Sequence, residues 1–380
     1  MRRSTPRERM MTAMANRQPD RVPVAPDISN MIPCRLTGKA FWDIYLYQDP
    51  PLWQAYIDAA RHFGFDGWLP SVPVEFPYQT EARERGPEWR EAIVARTPER
   101  IYTRLHARVD GAERWTDWCH VYYVADPPTA CVPLARVGLP EGSPPSWEDV
   151  EPRTRYPGLE AFHAARERMG EDGVVGVSVG LPGLGQHPES TYEFYDDPAA
   201  VAARCEKTHH DILRWVDEAV TLAPDLLLIG VSGFMIFNPE PIFRRLALPT
   251  LQAITARCRS AGVLSQIHCC GPEYALVRIA AEESDLDSIN PLEIRPMGDC
   301  DLRRAKREYG RRLSLMGNLH TTDVMLRGSP DDVARASREA IDDAAEGGGF
   351  ILSTGDQCGR DTPDENIRAM IEVARIHGAY

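Results

Sequence analysis

A (β/α)8 barrel of the TIM type, with an antiparallel β insertion after its second strand, is the fold class this sequence predicts. Three observations carry it. From about residue 155 onward, short apolar runs alternate with amphipathic helical segments. Two similar runs lie nearer the N-terminus, which brings the strand–helix units to eight. Between the second and third runs the rhythm breaks, over residues 73–150, and alternation of period two takes its place. A doubly wound sheet is the other arrangement that such alternation allows.

The elements follow in order. Thr5, Pro6 and Glu8 form a helix start, with a cap, a proline at the first helical position and a capping box; that helix runs to about Asn16. Residues 20–26 (DRVPVAP) read as the first strand and 66–72 (DGWLPSV) as the second, with a helix over 52–64 between them. Residues 91–126 read as an antiparallel hairpin or meander turning at Asp110-Gly111. The proline-rich stretch 126–150 reads as a linker or lid. The remaining strands are expected at 174–180, 226–231, 263–268, 286–290, 313–318 and 350–354. Helices over 199–220, 249–262, 274–284 and 330–348 separate them. The whole chain, 1–380, is thus expected to be one barrel domain with 73–150 inserted in it.

Composition narrows the function. The chain of 380 residues is 43% hydrophobic, too apolar for a disordered protein. A net charge of −13 without a basic run argues against nucleic acid or an anionic membrane as partner. No stretch approaches the ~20 apolar residues of a membrane span, and no apolar core follows the charged N-terminus as in a signal peptide. Nine scattered cysteines do not resemble a disulfide framework, so a reducing cytoplasm is the expected compartment.

The active site of such a barrel lies at the C-terminal ends of its strands. Past strand five stands His268-Cys269-Cys270-Gly271, past strand six Asn290-Pro291-Leu292-Glu293, past strand seven Asn318-Leu319-His320, and past strand eight Gly355-Asp356-Gln357-Cys358. His268, Cys270, Glu293 and Cys358 together have the chemistry of a zinc site, and two thiolates select zinc over magnesium or calcium. His268 and Cys270 are two apart and point the same way along an extended segment, while Cys269 points to the other side. The alternative is an inert buried cluster with a satisfied histidine. His320 is a general acid or base, or a group orienting a ligand, or simply a loop histidine bonded to a carbonyl. Asp356 and Arg360 flank Cys358 and contact substrate or partner, or form an ordinary loop ion pair.

Gly176-Val177-Ser178-Val179-Gly180 matches the hydrolase nucleophile pattern, but its serine falls inside a strand with no helix after it. Gly180–Gly185 has the wrong spacing for a dinucleotide fingerprint. His209 and His210 read as a solvated helix face.

The pattern His268-x-Cys270-Gly271…Cys358, late in a barrel, resembles the zinc methyltransferases of the uroporphyrinogen decarboxylase superfamily. Residues 5–26, 237–254, 316–333 and 347–378 resemble that superfamily's opening, middle and closing segments. The resemblance implies a zinc-dependent methyltransferase that moves a methyl group between a corrinoid protein and a small thiol, methyl ether or similar compound. It implies His268, Cys270 and Cys358 as zinc ligands. Glu293 falls where a carboxylate ligand occurs in the similar site of cobalamin-independent methionine synthase. In the resembling enzymes a zinc-bound thiolate attacks a methyl group on cobalt; in the reverse direction zinc activates the leaving oxygen of a methyl ether. The methylcobamide would arrive on a separate protein, since no Asp-x-His-x-x-Gly pattern occurs in the chain. The 73–150 insertion would shape the mouth, with Trp115, Trp118, Tyr122 and Tyr123 lining a pocket or packing in their hairpin. A metal-independent decarboxylase is the alternative activity, although residues 25–36 (APDISNMIPCRL) lack the decarboxylases' arginine-rich signature. A homodimer is the default assembly.

Overall fold

The computed structural model of the chain describes residues 4–380. In chain order its strands are β1 (Gly67–Leu69), β2 (Arg90–Arg96), β3 (Arg100–Val109), β4 (Ala112–Trp115), β5 (Trp118–Tyr123), β6 (Thr129–Pro133), β7 (Glu148–Asp149), β8 (Gly173–Val179), β9 (Leu226–Gly230), β10 (Leu264–His268), β11 (Ser288–Asn290), β12 (Ser314–Leu319) and β13 (Phe350–Thr354). The chain divides into two compact units: Met1–Asp27 with Ala60–Val72 and Arg166–Tyr380, and Ile28–Ala59 with Pro73–Ala165. The second unit therefore takes residues 28–59 and 151–165 as well as the expected insertion.

The first unit is built on a curled parallel sheet of seven strands, ordered β1-β8-β9-β10-β11-β12-β13. Sequential strands are spatial neighbours, joined by helices such as Pro198–Thr221, Leu248–Ala261 and Pro330–Ala344, which is the TIM-type arrangement. The expected first strand over 20–26 is not a regular strand; Arg21 and Val24 make only isolated bridges. Pro23 and Pro26 lack the N–H groups that a ladder needs. The segment still joins the two sheet edges. Leu352 N–H donates to Pro23 O, Ala25 N–H to Leu352 O, and Asp66 N–H to Val24 O. The buried Asp66 carboxylate completes the seam by accepting the Val24 amide at 2.9 Å and the guanidinium of Arg9 at 2.5 Å.

The first helix, Pro6–Met14, begins with the expected capping box between Thr5 and Glu8. Its Met10, Ala13 and Met14 share one core cluster with Trp68, Val174, Leu226, Leu228, Met316 and Ile351. Most of those residues lie near the beginnings of their strands, so the helix covers the N-terminal end of the sheet and leaves the C-terminal end for chemistry. Inside, Trp68 Nε1–H donates to Gln266 Oε1 at 2.8 Å, and Gln266 Nε2–H donates to Ser288 Oγ at 3.2 Å. These bonds satisfy the polar atoms of a buried layer. Ser178 lies within β8 with its hydroxyl 2.6 Å from that of Ser71, not on an elbow. A Cβ at Gly176 would come within 2.7 Å of Leu226, which explains that glycine by close strand approach.

The second unit carries an antiparallel sheet ordered β6-β5-β3-β2-β7, with β4 added to β3. Asp110 and Gly111 both have positive φ, 51° and 77°, as the predicted two-residue turn between β3 and β4 requires. The aromatic residues there are largely spent on packing. Trp115 stacks on the buried His106 at 4.7 Å, and Tyr122 Oη–H donates to Glu91 at 2.9 Å. No helix among the described residues is long and apolar enough to cross a membrane.

Candidate metal centre

His268 is the last residue of β10 and Asn290 the last of β11, and the two are partners in the parallel register. That pairing lays the Asn290 side chain beside the imidazole, with Nδ2 3.1 Å from His268 Nδ1. In this orientation Asn290 Oδ1 is buried without a partner. The two ends of an amide are nearly equal in shape, and the hydrogen-bond network decides between them. Turned end for end, Oδ1 would accept from His268 Nδ1–H, Nδ2 would take the unpartnered place, and Nε2 would present its lone pair outward. That is the tautomer a metal requires.

His268 Nε2 faces Cys270 Sγ at 3.2 Å. Between them Cys269 turns inward: it is fully buried, as the two-residue period predicts, while Cys270 is only partly so. Val231 N–H donates to His268 O and Gly233 N–H to Cys270 O, so the loop after β9 holds the backbone of this segment. One ligand atom each from His268, Cys270 and Asp356 lies within 4.8 Å of the others. Burial pushes the Cys270 thiol up to about 12; Asp356 and Glu293 act in the same direction and a hydrogen bond with Ser232 opposes them. A thiol in that state becomes a thiolate readily only when a cation joins it.

Glu293 borders the three. Its Oε2 accepts the Gly271 amide at 2.5 Å, and burial, aided by Asp356, raises its pKa. Cys358 is not in the group of three. Its backbone N–H donates to Asp27 O, and its fully buried thiol faces Thr354, Thr362 and Asp27, pushed up to about 12 by burial. Asp356 stands in that group instead. The backbone explains the exchange. Asp356 has φ +152°, a conformation rare outside glycine, and Thr354 Oγ–H donates to its carbonyl at 2.7 Å. The chain therefore leaves the period of β13 right after Thr354, and parity counted from the strand no longer tells which side chain faces the centre.

His320 caps the short π-helical turn Thr321–Leu326. Its Nδ1 accepts the amides of Thr322 at 3.2 Å and Asp323 at 3.0 Å. The ring proton is thereby fixed on Nε2, which is buried without a hydrogen-bond partner. Arg360 pairs with its neighbour Asp361 at 3.1 Å.

Donors of imidazole, thiolate and carboxylate type within 4.8 Å fit a divalent metal of the zinc class. The carboxylate of this group is Asp356 rather than the expected Glu293, and Cys358 is not among its residues.

Comparison with known proteins agrees with this architecture. A family model described as uroporphyrinogen decarboxylase (URO-D) matches residues 185–377, just over half of the chain. Among solved structures, a methyltransferase from Methanosarcina mazei aligns with a TM-score of 0.61 at 17% identity, covering 98% of each chain. A B12-independent methionine synthase from Shewanella sp. W3-18-1, in complex with selenomethionine, aligns with a TM-score of 0.43 at 14% identity, covering 94% of this chain and 98% of that one. No match was found among curated proteins. With the matched segment holding β9 through β13 and every residue of the centre, the chain belongs to the uroporphyrinogen decarboxylase family.

Proposed function

We propose that this protein is a zinc-dependent methyltransferase, moving a methyl group between a corrinoid carried on a separate protein and a small thiol, methyl ether or similar compound. The observation that carries the reading is the convergence of His268, Cys270 and Asp356 at the C-terminal ends of β10 and β13, with Glu293 beside them. His268, Cys270 and Asp356 would hold the metal, with Glu293 beside them. When bound, zinc supplies Lewis acidity, which keeps a coordinated thiol deprotonated at neutral pH or polarises an ether oxygen.

The other roles belong to the chain itself. Asn290 orients His268. Glu293, tied by the Gly271 amide, is the carboxylate that takes the proton an incoming thiol gives up. His320, with Nδ1 engaged by two amides, offers its Nε2–H as a hydrogen-bond donor to substrate. Asp356 moves from the substrate contact expected of it into the ligand set, and Cys358 leaves that set.

Metal content tests this directly. Protein purified without chelator should hold about one zinc per chain. His268→Ala, Cys270→Ala and Asp356→Ala should lose it, and Cys358→Ala should keep it. The zinc protein should then transfer a methyl group from methylcobalamin to a thiol. The family's description favours a second reading, decarboxylation without metal. A well-folded, metal-free wild type that releases carbon dioxide from a porphyrinogen would replace the first reading with the second.

A further inference from the structure

We propose that Glu273 is a positioning residue for this centre, holding Glu293 and Cys270 in place through a reciprocal clasp between two loops. The inference rests on the metal reading above. Glu273 lies in the loop after β10 and is fully buried. Its Oε1 accepts the amide N–H of Leu292, in the loop after β11. The next residue, Glu293, returns the bond: its Oε2 accepts the amide of Gly271, the residue after Cys270. Each loop thus gives the other one carboxylate and takes one backbone N–H.

The clasp has strain to oppose. Leu292 is buried and has φ +61°, a left-handed conformation that costs a branched residue free energy and persists only when its surroundings impose it. Asn318 Nδ2–H holds the Leu292 carbonyl at 3.1 Å, so Glu273 and Asn318 fix the two ends of one residue. The space around it leaves no slack. A Cβ at Gly298 would lie 2.2 Å from Glu293 O, and one at Gly317 would lie 2.2 Å from Pro291 O. Without the Glu273 acceptor, the buried Leu292 N–H has lost its partner, and Glu293 moves with the relaxing backbone. Glu273 Oε2 has no partner of its own, so the role needs one acceptor oxygen and no charge.

Cobalt(II) in place of zinc supplies a readout that does not depend on turnover. Absorption spectra and chelator competition would be measured for wild type, Glu273→Gln, Glu273→Ala and Glu273→Asp, with circular dichroism as the check on folding. Glutamine keeps the acceptor and should match the wild type in spectrum and affinity. Alanine removes the acceptor and aspartate withdraws it by one methylene; both should bind cobalt about 10–100-fold more weakly, with a shifted d–d band. Aspartate keeps the test decisive if the alanine variant does not fold. Wild-type affinity and spectrum in the folded alanine or aspartate variant would overturn the clasp alone. A wild type that gives no cobalt band would overturn the metal centre and the clasp together.

Discussion

Replacing Asn290 by alanine isolates the geometry of His268 from its chemistry. Asn290 is 1% exposed and sits in register with the histidine, so the substitution changes one contact and leaves a small cavity. The lost hydrogen bond, 3.1 Å long and between neutral groups, contributes about 1 kcal/mol. Its loss also frees the ring to rotate and to place its proton on Nε2, the atom that faces Cys270. Outer partners of metal-bound histidines contribute about 10–100-fold in affinity, and a single neutral amide belongs at the lower end. About tenfold weaker zinc binding is expected, equivalent to about 1.4 kcal/mol. Competition with a chromophoric chelator at neutral pH measures it. Asn290→Asp, a stronger acceptor for Nδ1–H, should restore or tighten binding. If Asn290→Ala binds zinc within twofold of wild type while His268→Ala binds none, the orientation argument is refuted.

Two further predictions concern stability. Asp66→Ala removes the shared partner of Arg9, Arg21 and the Val24 amide at a fully buried position. Stranding the buried Arg9 charge should cost about 3–5 kcal/mol in urea unfolding of the barrel unit, and a loss below about 1 kcal/mol would show that Asp20 alone satisfies the guanidinium. Asp332 closes the capping box of the helix Pro330–Ala344, whose N-cap is Ser329; the Ser329 hydroxyl and amide, with Arg335, lower its pKa from 3.8 to about 2. A folded pKa below the unfolded one stabilises above about pH 4, and the contribution is lost as pH falls toward 2. The gap in urea midpoint between wild type and Asp332→Asn should therefore narrow on acidification; a gap independent of pH would remove the carboxylate from the account.

The curled parallel sheet was legible because its strands are short apolar runs bounded by amphipathic helices, and β8 through β13 fall within a residue or two of the expected spans. The first strand was less so. Hydropathy marks residues 20–26 as buried, but it does not register that two prolines break the ladder and that Asp66 supplies the missing bonds. At the candidate centre, the period of two along an extended segment put His268 and Cys270 on one side, and they lie 3.2 Å apart. Asp356 required knowing where the chain stops being a strand. The sequence places Asp356 after Gly355 at the strand end as a candidate contact, but its φ of +152° and its grouping with His268 and Cys270 are seen only in the structure. Asn290 and Glu273 were invisible to motif reasoning, because an amide and a carboxylate gain meaning only from what lies across the next strand.

The seam at residues 22–25 also bears on how the chain reaches its fold. Ser353 Oγ–H donates to Ala25 O across a separation of 328 residues. A contact that distant returns nothing until nearly the whole chain is in place, so it forms late and slowly. Until then β1 and β13 are open edges, with unpaired N–H and C=O groups available to any other strand. Crowded refolding or overexpression should therefore lose protein chiefly through this gap, and an added strand that mimics residues 22–25 would compete for it.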